Sequence, residues 1–226
     1  MPKKHYFCAM KKLVIFDLDG TLLNTIADLG MATNYALQQC GFATHELAAY
    51  NAFVGNGINK LFERALPESE RNELNIKRIR THFLAFYDAH NCDHTAPYDG
   101  IPRLLAQLQQ RSMMLAVASN KYQAATERLV RHFFPEIAFV AVFGQRDGVP
   151  LKPDPQVVAD ILQLAHCAPS DALYVGDSGI DMQTAQNADI EAVGVTWGFR
   201  PRTDLEQFAP AHIVDSPDEI AAIVSR

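Results

Sequence analysis

The chain has no long apolar run. The stretch nearest its start, Leu13 to Phe16, ends in acids after four residues, too short for a signal peptide or a membrane span. Cysteine is scarce: Cys8, Cys40, Cys92 and Cys167 fall at irregular spacing in 226 residues. With no secretory leader, that pattern predicts reduced thiols and a cytoplasmic location. Positive charge is not in excess, since 26 acidic against 20 basic residues give a net charge of −6. That balance argues against broad binding to nucleic acid or to anionic membranes, and an anionic substrate must be captured by local cations or metal. There is no internal repeat or low-complexity tract. What is present is 48% hydrophobic residues, enough at this length to bury a full α/β core plus a smaller helical layer. Met1-Pro-Lys-Lys looks basic, and Met10 is an alternative start that would leave residues 1–9 as a short tail with no assigned role.

The most informative stretch is Leu13-Val-Ile-Phe-Asp17-Leu-Asp19-Gly20-Thr21, an apolar strand that runs into two carboxylates spaced two apart. At a strand's period of two, Asp17 and Asp19 project to the same side, where they can hold a hard cation such as Mg²⁺. Gly20 lets the turn pass close to a bound group. Alone, such a pair reads equally as an exposed turn with two solvated acids; the rest of the chain supplies the context.

Four more apolar runs read as strands: Met113 to Ala118, Ala138 to Phe143, Ala172 to Val175 and Ile190 to Val195. Most lack alternation, as parallel strands covered on both faces do. Between them lie helical periods, for example Ile101, Leu104, Leu105, Leu108 and then Val157, Val158, Ile161, Leu162, Ala165. The alternation predicts a doubly wound parallel sheet of the α/β class, with its ligand crevice at the carboxyl ends of the strands.

Polar residues follow each run as that rule requires: Ser119-Asn120-Lys121, then Gly144 to Asp147 with Lys152-Pro153, then Gly176-Asp177-Ser178 with Asp181. Folding would bring Asp17, Asp19, Asp177 and Asp181 into one crevice, and their repulsion calls for a cation or the Lys152 ammonium. Two of these residues also have plain structural readings. Ser178 to Asp181 forms a capping box for a helix, and Lys152 is equally a solvated lysine ahead of the helix that Pro153-Asp154-Pro155 would start.

The four motifs in order, DLDGT, SN, KP and GDSxxD, span most of the chain and resemble the haloacid dehalogenase superfamily of phosphotransferases. Phe53-Val-Gly-Asn-Gly57 through Leu66, and Gly194-Val-Thr-Trp-Gly198-Phe, are similar to phosphoglycolate phosphatases. Ser119 stands where many of those enzymes carry threonine, which keeps the hydroxyl. The resemblance implies a Rossmann-like core and a mechanism. Asp17 would attack phosphorus to give an aspartyl-phosphate that water hydrolyses. Asp19, a carboxyl group among acids, would protonate the departing alkoxide and later take a proton from water, while its main-chain carbonyl binds the metal. Ser119, and Asn120 through a backbone N–H at a helix start, would hold phosphoryl oxygens, with Thr21 as a further member of that cradle and Lys152 neutralising charge. Mg²⁺ would be held by Asp17, Asp19 and Asp177, with Asp181 orienting the shell.

No second strand appears until Met113, and helical periods fill the gap, such as Ile26, Leu29, Thr33, Ala36, Leu37 and Cys40, ended by Gly41. By the resemblance, residues 24–96 form a helical cap inserted between core segments 1–23 and 97–226, with hinges near Leu22 to Thr25 and Asp93 to Pro97 that let the cap exclude water. Lys60 and Arg64 are the cap's candidate cations for a substrate carboxylate, though each is equally a solvated helix charge.

Three other signals point elsewhere and are set aside. Gly176-Asp-Ser-Gly179 is similar to a trypsin-like nucleophile loop, but Ile180 follows where glycine is needed and the strand-helix alternation excludes a β-barrel protease. Gly55-Asn-Gly57 lacks the third glycine and the preceding strand of a dinucleotide fingerprint. His90, Cys92, Asp93 and His94 match no common zinc spacing and read as a polar helix end. Arg71, Lys77, Arg78 and Arg80 are the solvated face of a helix whose apolar face is Ile76, Ile79, Phe83, Phe86 and Tyr87.

The expected activity is Mg²⁺-dependent hydrolysis of a small phosphorylated metabolite, with 2-phosphoglycolate favoured. A β-phosphoglucomutase-like phosphomutase and an inorganic pyrophosphatase share the same core residues. A catalytically silent binding module is disfavoured, because every catalytic position is filled.

Overall fold

The computed structural model describes residues 11–225. The amino-terminal tail, with Cys8 and Met10, lies outside the described residues. In chain order the first strand, β1 (Leu13–Phe16), and the short β2 (Leu23–Asn24) lead into helices α1 (Ile26–Gln39), α2 (Tyr50–Phe53), α3 (Ile58–Ala65) and α4 (Glu73–His90). Strand β3 (Ala96–Pro97) returns the chain, followed by α5 (Ile101–Gln110), β4 (Met114–Tyr122), α6 (Gln123–Phe133), β5 (Phe139–Gln145) and α7 (Gln156–Ala165). The chain closes with β6 (Ala172–Gly176), α8 (Gly179–Asn187), β7 (Glu191–Val195), α9 (Arg202–Glu206), β8 (His212–Val214) and α10 (Pro217–Ile223).

Six strands form one sheet in the order β5-β4-β1-β6-β7-β8, and every pairing in it is parallel. The reason is visible in β1, whose four side chains are all fully buried. Val14 and Phe16 enter one core with residues of α5, α6 and α10, while Leu13 and Ile15 enter a second core with residues of α7, α8 and α9. A strand covered on both faces has no polar position to spare, which is why its sequence does not alternate. Truncating Phe16 to alanine would cost about 3–5 kcal/mol.

The chain builds outward from β1 through β4 to β5, then crosses back to β6, β7 and β8. The carboxyl ends of β4, β1 and β6 therefore lie side by side at the point where the winding reverses, the place where open α/β sheets bind ligands. The structure adds β8, a strand of three residues too short to show a period of its own.

Helices α1 to α4 enclose a third apolar cluster, centred on Leu29, Leu37, Phe62, Ile79, Phe83 and Tyr87. Lys77, Arg78 and Arg80 are exposed on α4, as their spacing predicts, whereas Arg71 lies ahead of that helix and is exposed in the preceding turn, with its Nε donating to the Leu66 carbonyl. The two chain crossings into and out of this helical layer pair as the antiparallel β2 and β3. Asp28, on α1, is 3% exposed and fastens the returning crossing by accepting bonds from the His94 and Thr95 amides and from the Thr95 hydroxyl. His90 pairs with Asp93 at 2.8 Å and stacks on Phe86, so the 90–94 cluster closes a helix end.

Candidate active site

One crevice gathers residues from the strand ends and from the helical layer. Asp17, Asp19, Ser119, Asn120, Lys121, Lys152, Asp177, Ser178, Asp181, Phe199 and Arg200 come from the sheet side, and Leu29, Val54, Ile58 and Leu61 from the helices.

Lys152 is the hub. Its Nζ donates to Asp17 Oδ1 at 2.8 Å, Asp181 Oδ1 at 2.7 Å, the Ala118 carbonyl at 2.9 Å and the Tyr174 hydroxyl at 3.1 Å. Burial alone would strip its proton, but the Asp17 and Asp181 charges outweigh that and hold it well above the usual lysine range. Burial also dominates at Asp17, whose carboxyl is pushed up to about 7; the Asp181 and Asp19 charges add to the rise and Lys152 opposes it. Asp177 rises for the same first reason, with Asp181 and Asp17 next, against the Phe199 N–H that donates to its Oδ2 at 2.7 Å. Carboxylates thus outnumber cations in a buried space.

That imbalance tests whether a metal fits. Among the described residues, Asp17, Asp177 and Asp181 form the one group of potential ligands converging within 4.8 Å. Backbone geometry leaves room beside them. Gly20 has φ +91°, and a Cβ there would collide with the Asp177 carboxylate; a Cβ at Gly198 would strike Asp177 and the Gly20 carbonyl. Hard oxygen donors with surplus negative charge suit a divalent cation. Asp181 has both oxygens engaged, Oδ1 by Lys152 and Tyr174, Oδ2 by the Ser178 N–H and hydroxyl. Asp181 therefore closes the capping box of α8, as its helix reading predicts, and it also aims Lys152.

Asp19 faces a cation rather than a ring of acids. Both its oxygens accept from Lys121 Nζ, at 3.0 and 3.1 Å, and Oδ1 also accepts from the Thr25 hydroxyl at 2.7 Å. Lys121 is 4% exposed and its ammonium lies 4.9 Å from the centre of the Tyr87 ring of α4.

Several expectations are corrected. Asn120 does not open a helix, because β4 continues through Ser119-Asn120-Lys121 to Tyr122. Instead its amide exchanges bonds with the main chain of Lys152 and reaches the Gly55 carbonyl at 3.3 Å, pinning the lysine loop to the helical layer. Thr21 is fully buried, outside the crevice walls, with its hydroxyl unpartnered among the described residues and its carbonyl accepting from Trp197 Nε1. Lys60 points to solvent and pairs with Glu63 at 2.6 Å. Arg64 holds the Phe53 carbonyl and Asn56 Oδ1 rather than lining the crevice. Sequence reasoning assigned no role to Lys121, Tyr174 or Arg200. Lys121 adjoins a recognised motif, whereas Tyr174 sits in an apolar run and Arg200 in a loop, with no signal of their own.

The architecture and this acid-lysine constellation define a class, and the comparisons agree: the model of the haloacid dehalogenase-like hydrolases matches residues 14–195, and the chain belongs to that family. A phosphoglycolate phosphatase from Mesorhizobium japonicum is 30% identical over 213 residues, 93% of each chain. Another from Photobacterium profundum is 31% identical, covering 94% of this chain and 95% of its own. Among solved structures, a provisionally named phosphoglycolate phosphatase from Lactobacillus delbrueckii subsp. bulgaricus superposes with a TM-score of 0.89 at 30% identity, over 95% of this chain and 98% of the other. The chain is a phosphoric monoester hydrolase of that family. No helix among the described residues is long and apolar enough to cross a membrane.

Proposed function

We propose that this enzyme hydrolyses 2-phosphoglycolate, with Mg²⁺ as cofactor, through an aspartyl-phosphate formed on Asp17. The observation that carries this reading is the state of the Asp17 carboxylate: Lys152 holds Oδ1 at 2.8 Å, while Oδ2 accepts no bond from the described residues and lies in a crevice shared with Ser119. A buried carboxylate with one oxygen fixed and one unengaged is set up as a nucleophile. Similarity to enzymes named for phosphoglycolate supplies the substrate.

Asp17 attacks phosphorus, Lys152 and the Ser119 hydroxyl stabilise charge on the non-bridging oxygens, and Asp19 gives a proton to the departing glycolate oxygen. Asp19 then takes a proton from the water that cleaves the acyl phosphate. Asp17 and Asp177 side chains with the Asp19 main-chain carbonyl would hold the ion, which when bound supplies positive charge against the phosphoryl oxygens. Residues 24–96 act as the cap over core segments 1–23 and 97–226, turning on the crossings at Leu22 to Thr25 and Asp93 to Pro97. Free Cys40, Cys92 and Cys167 support a cytoplasmic enzyme.

The test is phosphate release with Mg²⁺ from 2-phosphoglycolate, pyrophosphate and β-glucose 1-phosphate, with Asp17→Asn as control and acid-quenched protein mapped for phosphorylated Asp17. Preference for 2-phosphoglycolate, lost in the variant, supports the reading. Glucose 6-phosphate formed without phosphate release would replace it with a mutase.

A further inference from the structure

Three cations line the crevice: Lys121, Lys152 and Arg200. Two are already committed to acids, Lys121 to Asp19 and Lys152 to Asp17 and Asp181. Arg200 forms no salt bridge among the described residues. Its Nη2 donates to the carbonyls of Val54 at 2.8 Å and Ala52 at 3.4 Å, and neither Nη1 nor Nε makes a bond there. The guanidinium is thus held in place by neutral acceptors with charge and donors to spare.

Its surroundings make that charge selective. Leu29, Val54, Ile58, Leu61 and Phe199 supply apolar walls, and no charged or polar side chain of the helical layer lines the crevice. Its position is also fixed relative to the phosphoryl end, because the preceding residue, Phe199, is the one whose N–H clamps Asp177. Arg64 donates to the Phe53 carbonyl, between the two carbonyls that Arg200 holds, so two guanidinium groups meet one stretch of backbone in a chain with an overall charge of −6.

We propose that Arg200 reads the far end of the substrate, selecting phosphomonoesters that carry a second anionic group, a carboxylate, a few bonds from the phosphoryl oxygen. The proposal rests on the phosphatase reading above and deepens it. It assigns to a loop after β7 the carboxylate contact that the sequence placed on Lys60 and Arg64. An arginine offers a carboxylate paired, charge-assisted hydrogen bonds, and an apolar wall makes those bonds costly to leave unmade.

The experiment compares 2-phosphoglycolate with ethyl phosphate, which has a methyl group in place of the carboxylate, on the wild type, Arg200→Gln and Arg200→Lys. For Arg200→Gln the KM for 2-phosphoglycolate should rise roughly ten- to hundredfold, with kcat and the kcat/KM of ethyl phosphate held within about threefold. Arg200→Lys should recover part of the loss, and melting curves show whether each variant is folded. An equal loss on both substrates, which marks Arg200 as only a strap between loop and helical layer, overturns the inference, as does no loss at all. If the wild type does not hydrolyse 2-phosphoglycolate, the substrate reading falls by itself, and Arg200 is judged on 3-phosphoglycerate against glycerol 3-phosphate. A wild-type preference for the carboxylated member that Arg200→Gln removes supports the inference; indifference to the carboxylate in both pairs overturns it.

Discussion

Asp181 Oδ1 accepts a hydrogen bond from Lys152 Nζ at 2.7 Å, and both side chains are almost fully buried. The ammonium that touches Asp17 is therefore aimed by a carboxylate in the first turn of α8, whose other oxygen is fixed by Ser178. Removing one partner of such a pair strands the other's charge. Asp181→Ala is expected to lose about 3 kcal/mol, seen as a melting temperature lower by roughly 6–12 °C. Phosphate release should fall with it, because Lys152 loses its aim. A variant that melts like the wild type would show that the pair contributes nothing net.

Lys152→Ala leaves Asp17 and Asp181 buried without their shared cation. The Asp17 carboxyl, raised by burial and now without the opposing Lys152 charge, holds its proton more tightly folded than unfolded, so the folded state gains on acidification and loses as pH rises above the unfolded value. The variant should be destabilised most at pH 8 and recover toward pH 5, against the wild type measured in the same buffers. A pH-independent difference would count against this charge assignment.

The raised carboxyls of Asp17 and Asp177 make metal binding and pH opposing influences. Without metal, Asp17 is protonated in the folded chain up to about pH 7 but ionised in the unfolded chain above about pH 4, so stability falls as pH rises across that window. A divalent ion takes over the charge compensation and competes with the proton. The Mg²⁺-induced rise in melting temperature should be larger at pH 8 than at pH 6, and chelation should cost more at pH 8. Equal shifts at both values would separate the acidic cluster from the metal.

Gly198→Ala places a methyl group against Asp177 and the Gly20 carbonyl. The expected result is a folded protein that needs much more Mg²⁺ for half-maximal activity. An unchanged metal requirement would show that the loop yields at little cost.

Lys60→Ala should leave KM for any anionic substrate within about twofold, since an exposed pair such as Lys60–Glu63 contributes about 0–1 kcal/mol and lies off the crevice. A large rise in KM would return Lys60 to the substrate contact.

The sequence by itself determined the parallel sheet, because strands buried on both faces, such as β1, must be apolar throughout, and it determined where chemistry attaches, because Asp17, Lys152 and Asp177 each follow a strand and Ser119 follows the apolar run of one. It also marked the helical interruption between β1 and β4 through the 3.6-residue period of α1 and α4. Tertiary structure alone decided the pairings. Lys121 looks like any lysine after a motif until folding sets it against Asp19 and Tyr87, and Asn120 binds main-chain groups 32 and 65 positions away. The same holds for the cations of the helical layer: periodicity places Lys60 and Arg64 off the apolar face of α3 but does not say what they meet, whereas Arg200 enters the crevice because two distant loops meet there. Local pattern fixes which face of an element is apolar; which polar groups then share a buried space depends on packing between segments far apart in the chain.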